Sequence, residues 1–216
     1  MGEAVRLVPP GPPILLDRYT ILWYSYFMNL TLNHVVVATS HWESGDSDTL
    51  LDTRGLTWCV GIAIHDSRSR IGHLLHSVGP KTEESMVNEF FNSALTLTDD
   101  PKNLSAWVRG NHTLGHASGE RDKLVRMGRA FVESSIADAG ILDPNVDIRW
   151  GDNSIDMVLD CSNGRLLEGH TVYTETTTRK PLGMRYLTAL QRGEEFLDDT
   201  QEHAAALLRY LNSIST

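Results

Sequence analysis

The segment Thr53–His76, TRGLTWCVGIAIHDSRSRIGHLLH, decides how the rest of the chain is read. Two apolar runs flank the polar DSRSR of Asp66–Arg70, and this punctuation predicts two antiparallel strands joined by a turn that Asp66 caps. Strand alternation puts Trp58, Val60, Ile62 and Ile64 on one face and Cys59, Gly61 and Ala63 on the other. The bulky face calls for a core. The small face leaves room beside the sulfur.

The turn length sets what meets Cys59. A two-residue loop at Ser67 and Arg68 pairs Asp66 with Ser69 and places Cys59 directly opposite His76. Opposed Cβ atoms are then roughly 4.5–5.5 Å apart, close enough for a thiolate–imidazolium pair. A three-residue loop turns His76 to the other face. In the first register the imidazolium lowers a thiol that ordinarily titrates near about 8.5 and can protonate a leaving amine. The competing reading is that Cys59 merely fills the core, as cysteines in apolar strands commonly do.

Outward from this hairpin the sequence mixes strand and helix signals. HVVVATS (34–40), VDIRW (146–150) and SIDMVLD (154–160) predict strands, and CSNG (161–164) predicts a hairpin turn with Cys161 exposed in it. Helices are expected from Thr82, burying Val87, Phe90, Phe91 and Ala94, and from about Glu120, burying Leu124, Met127, Phe131 and Ser135 and stopping at Gly140. A last helix is expected near the end, with Asp199 and Glu202 as capping box and Leu207, Tyr210, Leu211 and Ile214 as its stripe. The fold class is α+β. One domain over 34–179 is expected, with extensions at 1–33 and 180–216.

Composition narrows the function classes. The chain has 216 residues, a net charge of −9 and no basic run, which argues against nucleic-acid binding. Two cysteines make no disulfide framework, so a reducing cytoplasm is expected. ILWYSYFMNLTL (21–32) is shorter than the roughly 20 residues that span a bilayer and reads as an aromatic-rich flap, without membrane insertion. His73 and His76, and His112 and His116, form half-motifs for zinc, but in a strand the first pair points to opposite faces. No metal and no cofactor are expected. His65 is expected solvated at the edge of the turn.

Thr53, Gly55, Leu56, Cys59 and Val60, followed by Asp66, Gly72, His76 and Pro80, form an ungapped set that resembles the bacterial chemotaxis family CheD, the receptor glutamine deamidases. AWVRGN (106–111), NSIDMVLD (153–160) and NGRLL (163–167) follow in that family's order, so the resemblance covers roughly 34–175. It implies a CheD-like layered β-sheet core flanked by helices. It implies Cys59 as nucleophile, His76 as general base and acid, and Thr53 as the residue orienting the histidine. The activity implied is hydrolysis of a protein glutamine side chain to glutamate with release of ammonia. A chemoreceptor is the implied protein substrate, and a CheC-like phosphatase the implied partner. Thr57 and Trp58 stand where the family has Gly-Ser, which makes the loop before the nucleophile bulkier. A cysteine with a histidine seventeen positions on also resembles protein N-terminal asparagine amidohydrolase, the alternative enzyme. A non-catalytic module that keeps the fold and regulates a partner is the alternative of another class.

Overall fold

The computed structural model describes residues 32–111, 119–151, 155–170, 181–196 and 198. The chain divides into two compact units, Met1–Leu30 and Thr31–Thr216, and all described residues lie in the second. In chain order the elements are β1 (Asn33–Val36), β2 (His41–Gly45), β3 (Thr49–Leu56), β4 (Val60–Asp66), β5 (Ile71–Ser77) and α1 (Glu84–Leu97). There follow β6 (Leu104–Gly110), α2 (Glu120–Asp138), β7 (Val146–Trp150), β8 (Ile155–Asp160), β9 (Arg165–His170) and α3 (Leu182–Arg192). The expected flap at 21–32, His112 and His116, and the helix stripe at 207–214 fall outside the described residues, apart from Leu32.

The strands form two mixed sheets, ordered β1-β3-β8-β9 and β2-β5-β4-β6-β7. The β1–β3 and β6–β7 pairs are parallel and the others antiparallel. The period-2 pattern of β4 explains the layering. Val60, Ile62 and Ile64 meet Val87 and Phe90 of α1 and Val132 and Ile136 of α2 on the outer side of the five-stranded sheet. Ala63 and its neighbour Leu74 face the other way, onto Leu51, Met157 and Leu159 of the four-stranded sheet. The outer face of that second sheet is covered by Leu182 and Tyr186 of α3, which pack on Leu50, Val158 and Leu167. The order is helices, sheet, sheet, helix. This is an α+β fold, and the stretch Leu182–Arg192 packs on the sheet rather than standing away from it.

The hairpin that opened the reading is present with a longer turn. Asp66 pairs with Ile71, and four residues lie between the strands. Asp66 holds that turn, accepting from Arg68 N at 2.8 Å and Ser69 N at 3.3 Å, while Arg70 N donates to the Asp66 carbonyl at 2.8 Å. The pairing therefore slides by two residues from the tighter loop, and His76 stands opposite Gly61, not Cys59. A slide of two keeps every side chain on its face. Cys59 and His76 remain on the inner side, as diagonal neighbours.

Three other local expectations are corrected. On α2, Leu124 and Met127 are 50% and 40% exposed, and the buried stripe is Gly128, Val132, Ile136 and Ala139. The helix is rotated by about one position from the expected stripe, and Gly128 faces Pro80 of the loop after β5. Cys161 is fully buried, its sulfur in the space that Gly72 leaves by having no side chain. Burial, with Asp160 adding to it, pushes that thiol up to about 12. His65 is buried, not solvated, and its Nε2 donates to the Cys161 carbonyl at 3.0 Å.

His73 lies between Trp42 and Phe90 on the helix-covered side, and burial pushes its imidazole down to about 4. The unfolded chain binds a proton near about 6.5 that the folded chain refuses. Stability from neutral His73 is therefore full above that value and lost as pH falls toward 4. In urea titrations the midpoint should rise with pH between about 4 and 6.5, and His73→Phe should remove about one proton from that slope.

Candidate active site

The site is assembled from both sheets. Thr53 lies on the inner side of β3, one residue before the β3–β8 register breaks between Thr53 and Leu56. Gly55, at φ +71°, lets the chain leave the ladder, and its N–H is taken by Asp156 Oδ1 at 3.0 Å. The chain then bends through Thr57–Cys59 and enters β4. His76 projects from β5 toward Thr53, and the Thr53 Oγ1–His76 Nδ1 distance is 2.8 Å. Both residues are buried.

The proton on the imidazole can be placed by accounting for donors. The Thr53 hydroxyl has one hydrogen, and it is donated to the Val37 carbonyl at 3.1 Å. The 2.8 Å contact to Nδ1 must then have Nδ1–H donating to Thr53 Oγ1. Neutral His76 consequently carries its lone pair on Nε2. That atom is buried and has no hydrogen-bond partner among the described residues. A buried acceptor without a donor is costly in a purely structural role. It is the state a general base requires.

Cys59 is half-buried at the edge of the inner cluster. Its backbone is fixed from behind, where Asn111 N donates to the Cys59 carbonyl at 2.8 Å. Gly110 has φ +92°, and a Cβ there would sit 2.3 Å from the Cys59 carbonyl oxygen. Only glycine permits this approach, so Gly110→Ala should destabilise the protein by about 2 kcal/mol, read as a shift of the urea midpoint.

The electrostatics favour a neutral pair. Burial, followed by the negative charge of Glu83, pushes the Cys59 thiol up, and burial pushes His76 down while Glu83 opposes it. Glu83 is held close by Ser77 Oγ and Val78 N, which donate to its Oε2 at 2.5 and 3.0 Å. The expected resting thiolate–imidazolium pair is thus corrected to thiol and neutral imidazole. Diagonal cross-strand partners lie roughly 7–8 Å apart. No Cys59–His76 hydrogen bond is formed among the described residues.

Thr53 and His76 are brought into contact, and Cys59 beside them. His73 points to the opposite side of the sheet. Among the described residues no three His, Cys, Asp or Glu side chains converge on a metal position, and no helix is long and apolar enough to cross a membrane. The sequence reading missed Glu83, which follows the expected helix start at Thr82, and the Gly110–Asn111 clamp. The run WVRGN carried a signal for the clamp, because a glycine ending an apolar strand marks a close backbone approach.

No family model matches the chain, and no curated protein matches it. Among solved structures, Bacillus licheniformis hypothetical protein YfiH is similar at 11% identity and a TM-score of 0.38, over 50% of this chain and 49% of its own. A Neisseria meningitidis protein of the DUF152 family gives 6% identity and a TM-score of 0.41, over 63% and 71%. YlmD from Geobacillus stearothermophilus gives 10% and 0.38, over 62% and 68%. The chain spans about half the length of the first of these. These neighbours are YfiH and DUF152 proteins, not CheD, and they overturn the CheD resemblance. With it fall the protein glutamine deamidase function, its chemotaxis setting and the specifically CheD-like form of the fold. The chemoreceptor substrate and the CheC-like partner followed from that resemblance alone.

Proposed function

We propose that Cys59, His76 and Thr53 form the site of a cysteine-dependent amide hydrolase. The observation that carries this reading is the buried, unpartnered Nε2 of a histidine whose other nitrogen is committed to Thr53. Cys59 is the nucleophile, His76 the general base and acid, and Thr53 positions the ring.

The chemistry follows from a neutral pair. As the Cys59 sulfur attacks an amide carbonyl carbon, Nε2 takes the thiol proton. The same imidazole, now protonated, returns the proton to the leaving nitrogen as the C–N bond breaks. A thioester remains. Water attacks it, giving a proton to Nε2, and the thiol recovers that proton when the acid departs. The cycle requires Cys59 and His76 to come within hydrogen-bond reach, directly or through one water, when substrate binds.

The test is a panel of peptide amides and anilides assayed for product release. Turnover should be lost in Cys59→Ala and in His76→Ala, with the folded state checked by circular dichroism. Turnover that survives Cys59→Ala would sink the proposal. Thr53→Val should slow acylation by roughly tenfold, the worth of one hydrogen bond, while Thr53→Ser keeps most of the rate.

A further inference from the structure

We infer that the groove beside Cys59 is a specificity pocket for one large apolar side chain on the acyl part of the substrate; this rests on the hydrolase reading above. The groove lies at the end of the five-stranded sheet where Cys59 enters β4, and encloses about 190 Å³. Its walls come from three segments that are far apart in sequence. Trp58 precedes the nucleophile, Val78 follows β5, and Leu124 comes from the first turns of α2. These three side chains are 37%, 50% and 50% exposed. Large apolar side chains scattered singly on a surface need no explanation, but three converging on one concavity mark a binding site.

The placement ties the groove to the reaction. The β4–β5 ladder ends at Val60–Ser77, so Cys59 and Val78 are the next residues beyond its last pair. Asn111, which also lines the groove, is the residue whose N–H holds the Cys59 carbonyl. Cys59 does not itself line the groove. The inferred pose puts the reacting carbonyl at the Cys59 sulfur and the adjoining side chain of the acyl group beside Trp58, the residue next to Cys59 in the chain. The volume is below the roughly 300–1,000 Å³ of pockets that take whole small-molecule ligands, and suits a single side chain of leucine to phenylalanine size. Lys81, the cation on the rim, is already paired with Glu84 and lies over the Phe131 ring, so an apolar guest meets no unpaired charge there.

The experiment compares acylation of Cys59 by p-nitrophenyl acetate and by p-nitrophenyl 3-phenylpropionate, each relative to its reaction with a free thiol such as N-acetylcysteine. The phenylpropionyl ester should gain at least tenfold over acetyl in the full-length protein and show saturation. Leu124→Glu should reduce that preference severalfold, and Met184→Glu, a change at an exposed apolar residue of α3, should leave both rates as they were. A preference no greater than that of the free thiol, or one that survives both Leu124→Glu and Val78→Asp, would overturn the pocket while leaving the hydrolase reading intact. Failure of both esters to acylate Cys59 would overturn the hydrolase reading and the pocket together.

Discussion

Replacing His76 with alanine should slow the acylation of Cys59 by p-nitrophenyl acetate at pH 7.5 by about 100- to 10,000-fold, the usual worth of a positioned general base. The size of the effect follows from the resting charges. A thiol already ionised beside an imidazolium would lose much of its reactivity through a changed pKa, and raising the pH would restore it. Here burial and Glu83 keep Cys59 protonated, so the proton must be removed during attack. In the proposed mechanism the acceptor is Nε2 of His76, which is buried and without a hydrogen-bond partner among the described residues. The deficit of the alanine variant should therefore shrink only when pH exceeds the raised thiol pKa. The check is a stopped-flow pH profile of nitrophenolate release for both proteins, with intact-mass detection of the acetylated cysteine. An equal rate in the two proteins near neutral pH would remove His76 from the mechanism.

The largest loss of stability should come from Arg109. This side chain is fully buried between the sheets. Its Nε and Nη2 donate to Glu168 Oε1 at 2.8 and 2.6 Å, Nη2 also reaches Asp147 Oδ2 at 2.6 Å, and Nη1 donates to the carbonyls of Val108 and Asp147 at 2.8 Å each. Arg109→Ala removes the buried cation and leaves Glu168, itself buried, with the half-exposed Arg149 guanidinium at 3.2 Å as its remaining partner. Breaking such a pair from one side costs about 3–5 kcal/mol. The double variant Arg109→Met with Glu168→Leu should recover most of that loss, because an apolar pair of similar volume is often no worse than the ions it replaces. Urea unfolding of the two proteins separates the outcomes. A loss below about 1 kcal/mol for the alanine variant would mean that the ion network contributes little beyond packing.

The network also shows why part of the fold was hidden in the sequence. WVRGN is an apolar run with a single charge, and nothing in it signals a carboxylate 59 positions away. Local signals did better. Alternation along VGIAIHD assigned both faces of β4 correctly, and the helical spacing of Val87, Phe90, Phe91 and Ala94 gave the buried side of α1. Register was less legible. The turn at DSRSR contains no Asn-Gly or Asp-Gly to fix a two-residue loop, and the side chain of Asp66 stabilises a four-residue one instead.

The same distinction holds for the site. The motif behind the CheD resemblance contains Thr53, Cys59 and His76, which the fold gathers on the inner side of two sheets, and Thr53 and His76 are in contact. The ionic character of the pair was not legible, because it depends on burial and on Glu83, and neither can be counted from the chain. The stripe of α2 failed for a similar reason. Leu124 and Met127 have the spacing of a core face, but the helix buries the neighbouring stripe of Gly128, Val132 and Ile136, which has the same period. Family likeness misled most. Nine matching positions gave a compact motif, while the fold's neighbours lie elsewhere.

The state of the His76 imidazole is the most direct test of the site. Long-range proton–nitrogen NMR on uniformly nitrogen-15-labelled protein, with His76→Gln for assignment, reports which ring nitrogen carries the proton as pH is lowered from 8 to 5. The expected result is a neutral ring protonated at Nδ1 and bare at Nε2, which takes up its second proton only below the ordinary histidine value of 6.5. A proton on Nε2 in the neutral ring, or an imidazolium persisting at pH 7.5, would contradict the neutral thiol–imidazole pair and the role given to Thr53.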